Sequence, residues 1–172
     1  TVISELLRDL ALKAGRRPDE ILLLSNPANL DDIRVVDRAA ARADWNLPAE
    51  GVLLGYAANY HPDQEFFLGA FAAAAARVPE LKLVAGGPPF ARGLIERLNL
   101  TERVIEAGRV ERARIASLLG AADALAVPLE GHPSNHARVP VKFTDCLAAG
   151  RPIATTLVGD LARHFAPGTA SI

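Results

Sequence analysis

From residue 52 onward the chain repeats one unit: a short apolar run, a Gly- or Pro-marked break, then a stretch with helical spacing. "VLLGYA" (52–57), "LKLVAGG" (81–87), "RVIEAG" (103–108), "ALAVPL" (124–129) and residues 152–156 read as strands. Residues 64–78, 91–99, 112–122, 141–149 and 160–165 read as the helices between and after them. The strands are continuous apolar runs rather than alternating ones, as required when helices cover both faces of a sheet. Strand–helix alternation at this spacing predicts βαβ units and an α/β, Rossmann-like, doubly wound parallel sheet. Residues 49–172 form that unit. Residues 1–48 form a leading segment: a helix capped by Ser4 and stopped at Gly15, a short buried strand "ILLLS" (21–25) ending at Asn26–Pro27, and a charged, partly helical connection.

The bulk numbers bound the function classes. In 172 residues, 19 basic side chains face 20 acidic ones, so the chain lacks the basic excess that a nucleic-acid surface needs. One cysteine excludes a disulfide framework and points to a reducing compartment; a cytoplasmic location is expected. The longest apolar run, residues 66–78, is alanine-rich and too short to span a bilayer, and no signal peptide is visible. The heavy use of alanine, and of arginine over lysine, fits a GC-rich bacterial coding bias. The chain opens on threonine, which reads as a piece of something longer.

In an open parallel sheet the ligand lies at the carboxyl ends of the strands. The loops there read "ANYHPD", "GPPF", "RVER", "EGHPSNHARVP" and "LVGD", and the fourth is the longest. No G-x-G-x-x-G fingerprint or Walker A motif is present, which argues against a dinucleotide or P-loop enzyme. His132 and His136 are four apart but lie in a Pro-broken loop with no evident third ligand, so two exposed histidines are expected and no metal. Ser134 lacks a nucleophile elbow. Cys146 falls on an apolar helix and reads as a buried structural thiol.

Lys142 is the informative residue. It is one of three lysines, with Lys13 and Lys82, and follows Pro140 at the start of a predicted helix. Helix N-termini carry free N–H groups and partial positive charge, so a cation there is unfavourable unless an anion is also bound. Backbone N–H groups plus a lysine make a phosphate cradle. Asp145, three residues on, shares the face and can accept hydrogen bonds from sugar hydroxyls. The alternative is a surface lysine with an aspartate neighbour.

Four stretches together resemble a known family: "ILLLSNPANLDDI", "LLGYAANYHPDQEFFLGAFAAAAARVPELKLVAGGPP", "RVIEAGRVERARIASLLGAADALAVPL" and "KFTDCLAAGRPIATTLVGDLARHF". They are similar to the carboxyl-terminal, donor-binding domain of family 4 (group 1) retaining glycosyltransferases, which have the GT-B fold of two Rossmann-like domains. The resemblance implies that the chain binds a nucleotide-diphosphate sugar without a metal or cofactor. It also implies that an amino-terminal acceptor-binding domain lies outside the chain, and that the isolated domain is inactive. Peripheral membrane association would run through that other domain.

The residues carry over unevenly. The family's two acidic residues, eight apart, fall on Ala137 and Asp145, so only the ribose-binding carboxylate is kept. Its Arg and Lys in the loop after the first strand fall near Asn59 and Gln64, and both charges are missing. Arg109 and Val110 match the base-contacting loop. Lys142 with Arg138 would then compensate at the diphosphate, with Asn135 and Val141 beside them. The opposing reading is a nucleotide-binding or structural module whose donor site has decayed.

Overall fold

The computed structural model describes residues 1–164. Its centre is a sheet of five parallel strands in the order β3-β2-β1-β4-β5: Val52–Ala57 (β1), Leu81–Gly86 (β2), Val104–Gly108 (β3), Ala124–Val127 (β4) and Ile153–Thr155 (β5). Helices Gln64–Arg77 (α3), Arg92–Arg97 (α4), Arg112–Gly120 (α5) and Val141–Ala148 (α7) join successive strands. Consecutive residues of β4 show why the runs are continuous. Leu125 and Val127 point into one core, with Leu119, Phe143 and Cys146, while Ala126 points into the other, with Phe67, Phe71 and Leu83. Both faces are therefore buried, and apolar residues are needed at every position. The predicted helix at residues 160–165 is Leu161–His164 (α8) among the described residues; Phe165 lies outside them.

The leading segment contains α1 (Glu5–Lys13) and α2 (Arg38–Asp44). Ser4 caps α1 by accepting from the Leu7 N–H, as expected. The predicted buried strand at residues 21–25 is not one. It is extended, but only a single parallel bridge, Val2 to Leu23, engages it, and Leu22 and Leu24 are 59% and 58% exposed. Apolar composition favours extended backbone, but the five-stranded sheet does not reach this run.

Elsewhere the leading segment is fixed firmly to the sheet. Ile33 belongs to the core formed by α5, β4 and α7. Arg42 on α2, 2% exposed, donates to the carbonyls of Ala121, Ala49 and Gly51 and pairs with Asp123 at 2.6 Å. The same Asp123 oxygen accepts from the Leu53 N–H, so Asp123 ties α2 to β1. Arg38 also bonds to Asp123.

Candidate functional site

The strand order reverses between β1 and β4: β2 and β3 lie to one side of β1, β4 and β5 to the other. Connections leaving β1 and β4 diverge there, and a crevice opens above their carboxyl ends. A cavity of about 670 Å3 occupies this place. Its walls come from the β1–α3 loop (Ala58, Asn59, Tyr60), the β2 end (Gly86, Gly87), the β3–α5 turn (Arg109, Val110, Arg112) and the start of α7 (Pro140, Val141, Lys142, Asp145). Of the eight residues singled out in the sequence, seven line it: Asn59, Arg109, Val110, Arg138, Val141, Lys142 and Asp145.

Gly87 lets the floor close. Its φ is +133°, and a Cβ there would lie 1.9 Å from the Ala58 carbonyl oxygen, so the loops after β1 and β2 can touch only at a glycine. Beneath them, His61 bridges the same two loops. One ring nitrogen contacts the Pro88 carbonyl at 2.6 Å and the other the Tyr56 hydroxyl at 3.2 Å. A carbonyl only accepts, so His61 Nε2 carries the proton and the Tyr56 hydroxyl donates to Nδ1.

Two helices aim their N-termini at the cavity, and neither has a side-chain cap: α5 begins after Glu111 and α7 after Pro140. Their first N–H groups are left for an external acceptor. Lys142 is half-buried, and its Nζ lies 4.9 Å from the centre of the Tyr56 ring. It makes no ion pair among the described residues. Burial pushes its pKa down to about 8, and Arg138 adds repulsion that Asp63 partly offsets. Cys146, one turn behind it, is buried as expected, with its thiol pushed up to about 12 by burial.

Asp145 faces the cavity but is not free. Arg112 grips both of its oxygens, Nη1 to Oδ2 at 2.6 Å and Nη2 to Oδ1 at 3.1 Å. The hydrogen bond that Arg112 donates to Asp145 leads the influences that raise the Arg112 pKa. Sequence reasoning missed Arg112. Its one signal was a basic residue at the start of a helix beside the Arg109–Val110 turn, the same oddity that exposed Lys142.

Asn135 lies elsewhere, in a neighbouring depression of about 370 Å3 that meets the main cavity at Tyr60 and Arg138. Its amide donates to both oxygens of Asp63 at 3.2 Å and to the Glu130 carbonyl at 2.9 Å, and Arg138 approaches Asp63 at 3.6 Å. Gln64 is not among the residues lining the cavity, and its side-chain oxygen accepts from the Ala91 N–H just ahead of α4. The stretch read as a Pro-broken loop after β4 contains one helical turn, Pro133–His136 (α6), because proline suits a first helical position. His132 and His136 are exposed at its ends, and no cluster of three metal-ligating side chains occurs among the described residues.

The leading segment also holds the chain that feeds α7. The Ser4 hydroxyl donates to the Ala137 carbonyl at 2.7 Å, and the Asn26 amide to the Val139 carbonyl at 2.7 Å. A Rossmann-like parallel sheet, open at its switch point, is thus the frame for this cavity.

Comparison with known proteins identifies the family. Residues 51–172 match the family described as "Glycosyl transferases group 1", and the chain belongs to it. A D-inositol 3-phosphate glycosyltransferase from Saccharomonospora viridis is 31% identical over 160 residues, which covers 84% of this chain and 36% of that protein. The chain spans about a third of the length of the curated relatives it matches. Among solved structures, a sucrose-phosphate synthase from Thermosynechococcus elongatus superimposes with a TM-score of 0.75 at 24% identity, over 96% of this chain and 42% of the other. HepE from Anabaena, solved with UDP-glucose, does so with a TM-score of 0.75 at 18% identity, over 97% and 47%. These likenesses define the fold. No described helix is long and apolar enough to cross a membrane.

Proposed function

We propose that this chain is the carboxyl-terminal, donor-binding part of a retaining, metal-independent family 4 glycosyltransferase, and that its cavity holds a nucleotide-diphosphate sugar. The carrying observation is Lys142: a half-buried cation beside an uncapped helix N-terminus, with no anionic side chain at ion-pair distance among the described residues. Such a group lacks only an anion. The diphosphate sits against the N–H groups of Val141 and Lys142, with the Lys142 ammonium and Arg138 beside it. The base lies along Arg109 and Val110 near Asn59, and the ribose hydroxyls bond to Asp145. Asn135 lies one step back and supports Arg138 through Asp63.

In the transfer, the bond from the sugar's anomeric carbon to the β-phosphate oxygen breaks. A bond to an acceptor oxygen forms on the same face of the sugar, and the acceptor's hydroxyl proton passes to the departing phosphate oxygen. The departing diphosphate gains negative charge, which the ammonium and the helix N-terminus stabilise. The acceptor and its domain lie outside this chain, so the isolated chain binds donor but does not turn it over.

The test is calorimetric titration with UDP, GDP, ADP, their hexosyl derivatives and the free nucleosides, together with a transfer assay. Micromolar to millimolar binding of one diphosphate series, without turnover, supports the reading. Binding of none supports a decayed site, which the loss of the family's charges near Asn59 and Gln64 would explain. Robust turnover would mean the site is complete within these residues.

A further inference from the structure

We propose that Tyr56 is a positioning residue for Lys142: the face of its buried ring holds the ammonium charged and in place until an anion enters the cavity. This deepens the reading of Lys142 as the diphosphate contact and rests on it.

Tyr56 lies on β1 and Lys142 on α7, so the two meet across the switch point of the sheet. The ammonium stands over the ring, 4.9 Å from its centre, where the negative face of an aromatic ring attracts a cation. The ring cannot swing away. His61, Phe67 and Phe90 place their own ring centres 5.4, 4.8 and 5.9 Å from it, and its hydroxyl donates to His61 Nδ1 at 3.2 Å. Tyr56 is 4% exposed and does not line the cavity, so it reaches a ligand only through Lys142. Burial leads the influences that push its hydroxyl up to about 12, so a neutral ring and not a phenolate meets the cation.

The charged groups around Lys142 do not replace the ring. Burial drives the lysine toward its neutral form, and Arg138 on the loop before α7 adds to this. Asp63 on the β1–α3 loop and Cys146 on α7 partly oppose it, but Asp63 is engaged by Asn135 and Arg138. Asp145, on the same helix, is gripped by Arg112. The remaining charged groups of the cavity wall, Arg109 and Glu111, lie on the β3–α5 turn. An aliphatic residue would serve β1 at position 56 with no buried hydroxyl to pair. The aromatic face is the one property of Tyr56 that a half-buried ammonium uses. Removing it lowers the Lys142 midpoint further, because the charged form loses its support.

The chain has three lysines, Lys13, Lys82 and Lys142, so NMR of lysine-labelled protein reads Lys142 directly, assigned by its absence in Lys142→Ala. Protons over an aromatic face move upfield, so the Lys142 ε-methylene is expected upfield of the other two. Equal positions would overturn the proposal with no change made at Tyr56. Titration from about pH 6 to about pH 11 then compares the wild type with Tyr56→Phe, which keeps a ring, and with Tyr56→Leu and Tyr56→Met, which do not. Circular dichroism checks the fold. The Lys142 midpoint is expected to fall by about half a pH unit to one unit without the ring, and by less than about a quarter of a unit in Tyr56→Phe. Calorimetry with UDP, GDP and ADP at the pH of the wild-type midpoint should show an affinity loss of about two- to fivefold without the ring. Two pH units lower, where the lysine is charged in every variant, the loss should nearly vanish. An unmoved midpoint in Tyr56→Leu or Tyr56→Met would overturn the proposal, as would a Tyr56→Phe midpoint that falls as far as theirs. So would an equal affinity loss at both pH values, since Tyr56 would then serve the fold alone. Failure of the wild type to bind any diphosphate would instead overturn the donor reading, because the NMR measurements read the ring contact without a nucleotide.

Discussion

Replacing Lys142 with alanine removes a half-buried cation at the α7 N-terminus that has no ion-pair partner among the described residues. In the free protein this ammonium is poorly solvated and repelled by Arg138, and its pKa falls to about 8. Its contact with the Tyr56 ring, 4.9 Å away, compensates weakly. Bound diphosphate supplies the missing anion, and a charge-assisted bond of this kind contributes about 1.5–3 kcal/mol. Lys142→Ala should therefore weaken nucleoside diphosphate binding by about 10- to 150-fold and leave the free nucleoside nearly unaffected. It should also flatten the salt dependence.

A pH signature follows with a definite sign. The bound anion favours the charged amine, so above pH 8 binding must take up a proton. Diphosphate affinity should then fall as pH rises from about 8 toward 10.5, by at most about tenfold per pH unit for a single proton. Below pH 8 this group adds no slope, and Lys142→Ala removes the decline. Calorimetry with diphosphate and nucleoside, at two salt concentrations and from pH 7 to 9.5, reads all three effects. Equal losses for both ligands, or the same pH decline in the variant, would refute the assignment.

Two further substitutions separate the frame from the site. Arg42→Leu leaves the carbonyls of Ala121, Ala49 and Gly51 without their side-chain donor and Asp123 with only Arg38 and the Leu53 N–H; urea unfolding should show a loss of about 3 kcal/mol, and a loss under about 1 kcal/mol would contradict the structural role given to Arg42. Gly87→Ala must move the Ala58 carbonyl that its Cβ would strike, so it should lower stability by about 1–3 kcal/mol and abolish nucleotide binding; an unchanged binding isotherm would show that this floor contact is dispensable.

The sheet was legible because burial on both faces demands apolar residues at every strand position, and that pattern survives in one dimension. The run at residues 21–25 carries the same signal yet lies outside the sheet, because apolarity records a preference for burial and not the surface that provides it. At the site, Lys142 could be found by local reasoning, since a helix N-terminus and a cation conflict within one turn. Arg112 could not. Its partner lies 33 residues away, and their meeting depends on how α5 and α7 lie over neighbouring strands. Asn135 was noticed as a polar loop residue, but its direction is set by Asp63 from another loop, and it bonds away from the main cavity.

The strand order has a consequence in time. Residues 52–108 can build β1, β2 and β3 with short-range pairings, as when Leu54 meets Leu83. The other edge of β1 waits for Ala124 to reach Leu54. Until then that edge is a row of unpaired backbone groups on a strongly apolar strand, open to wrong partners. The cavity lies at this late seam, so a chain emerging from the ribosome is half a sheet before it has anywhere to put a ligand. A ligand in that cavity can reward only a chain that has closed that seam, and so it would act on the last step of folding rather than the first.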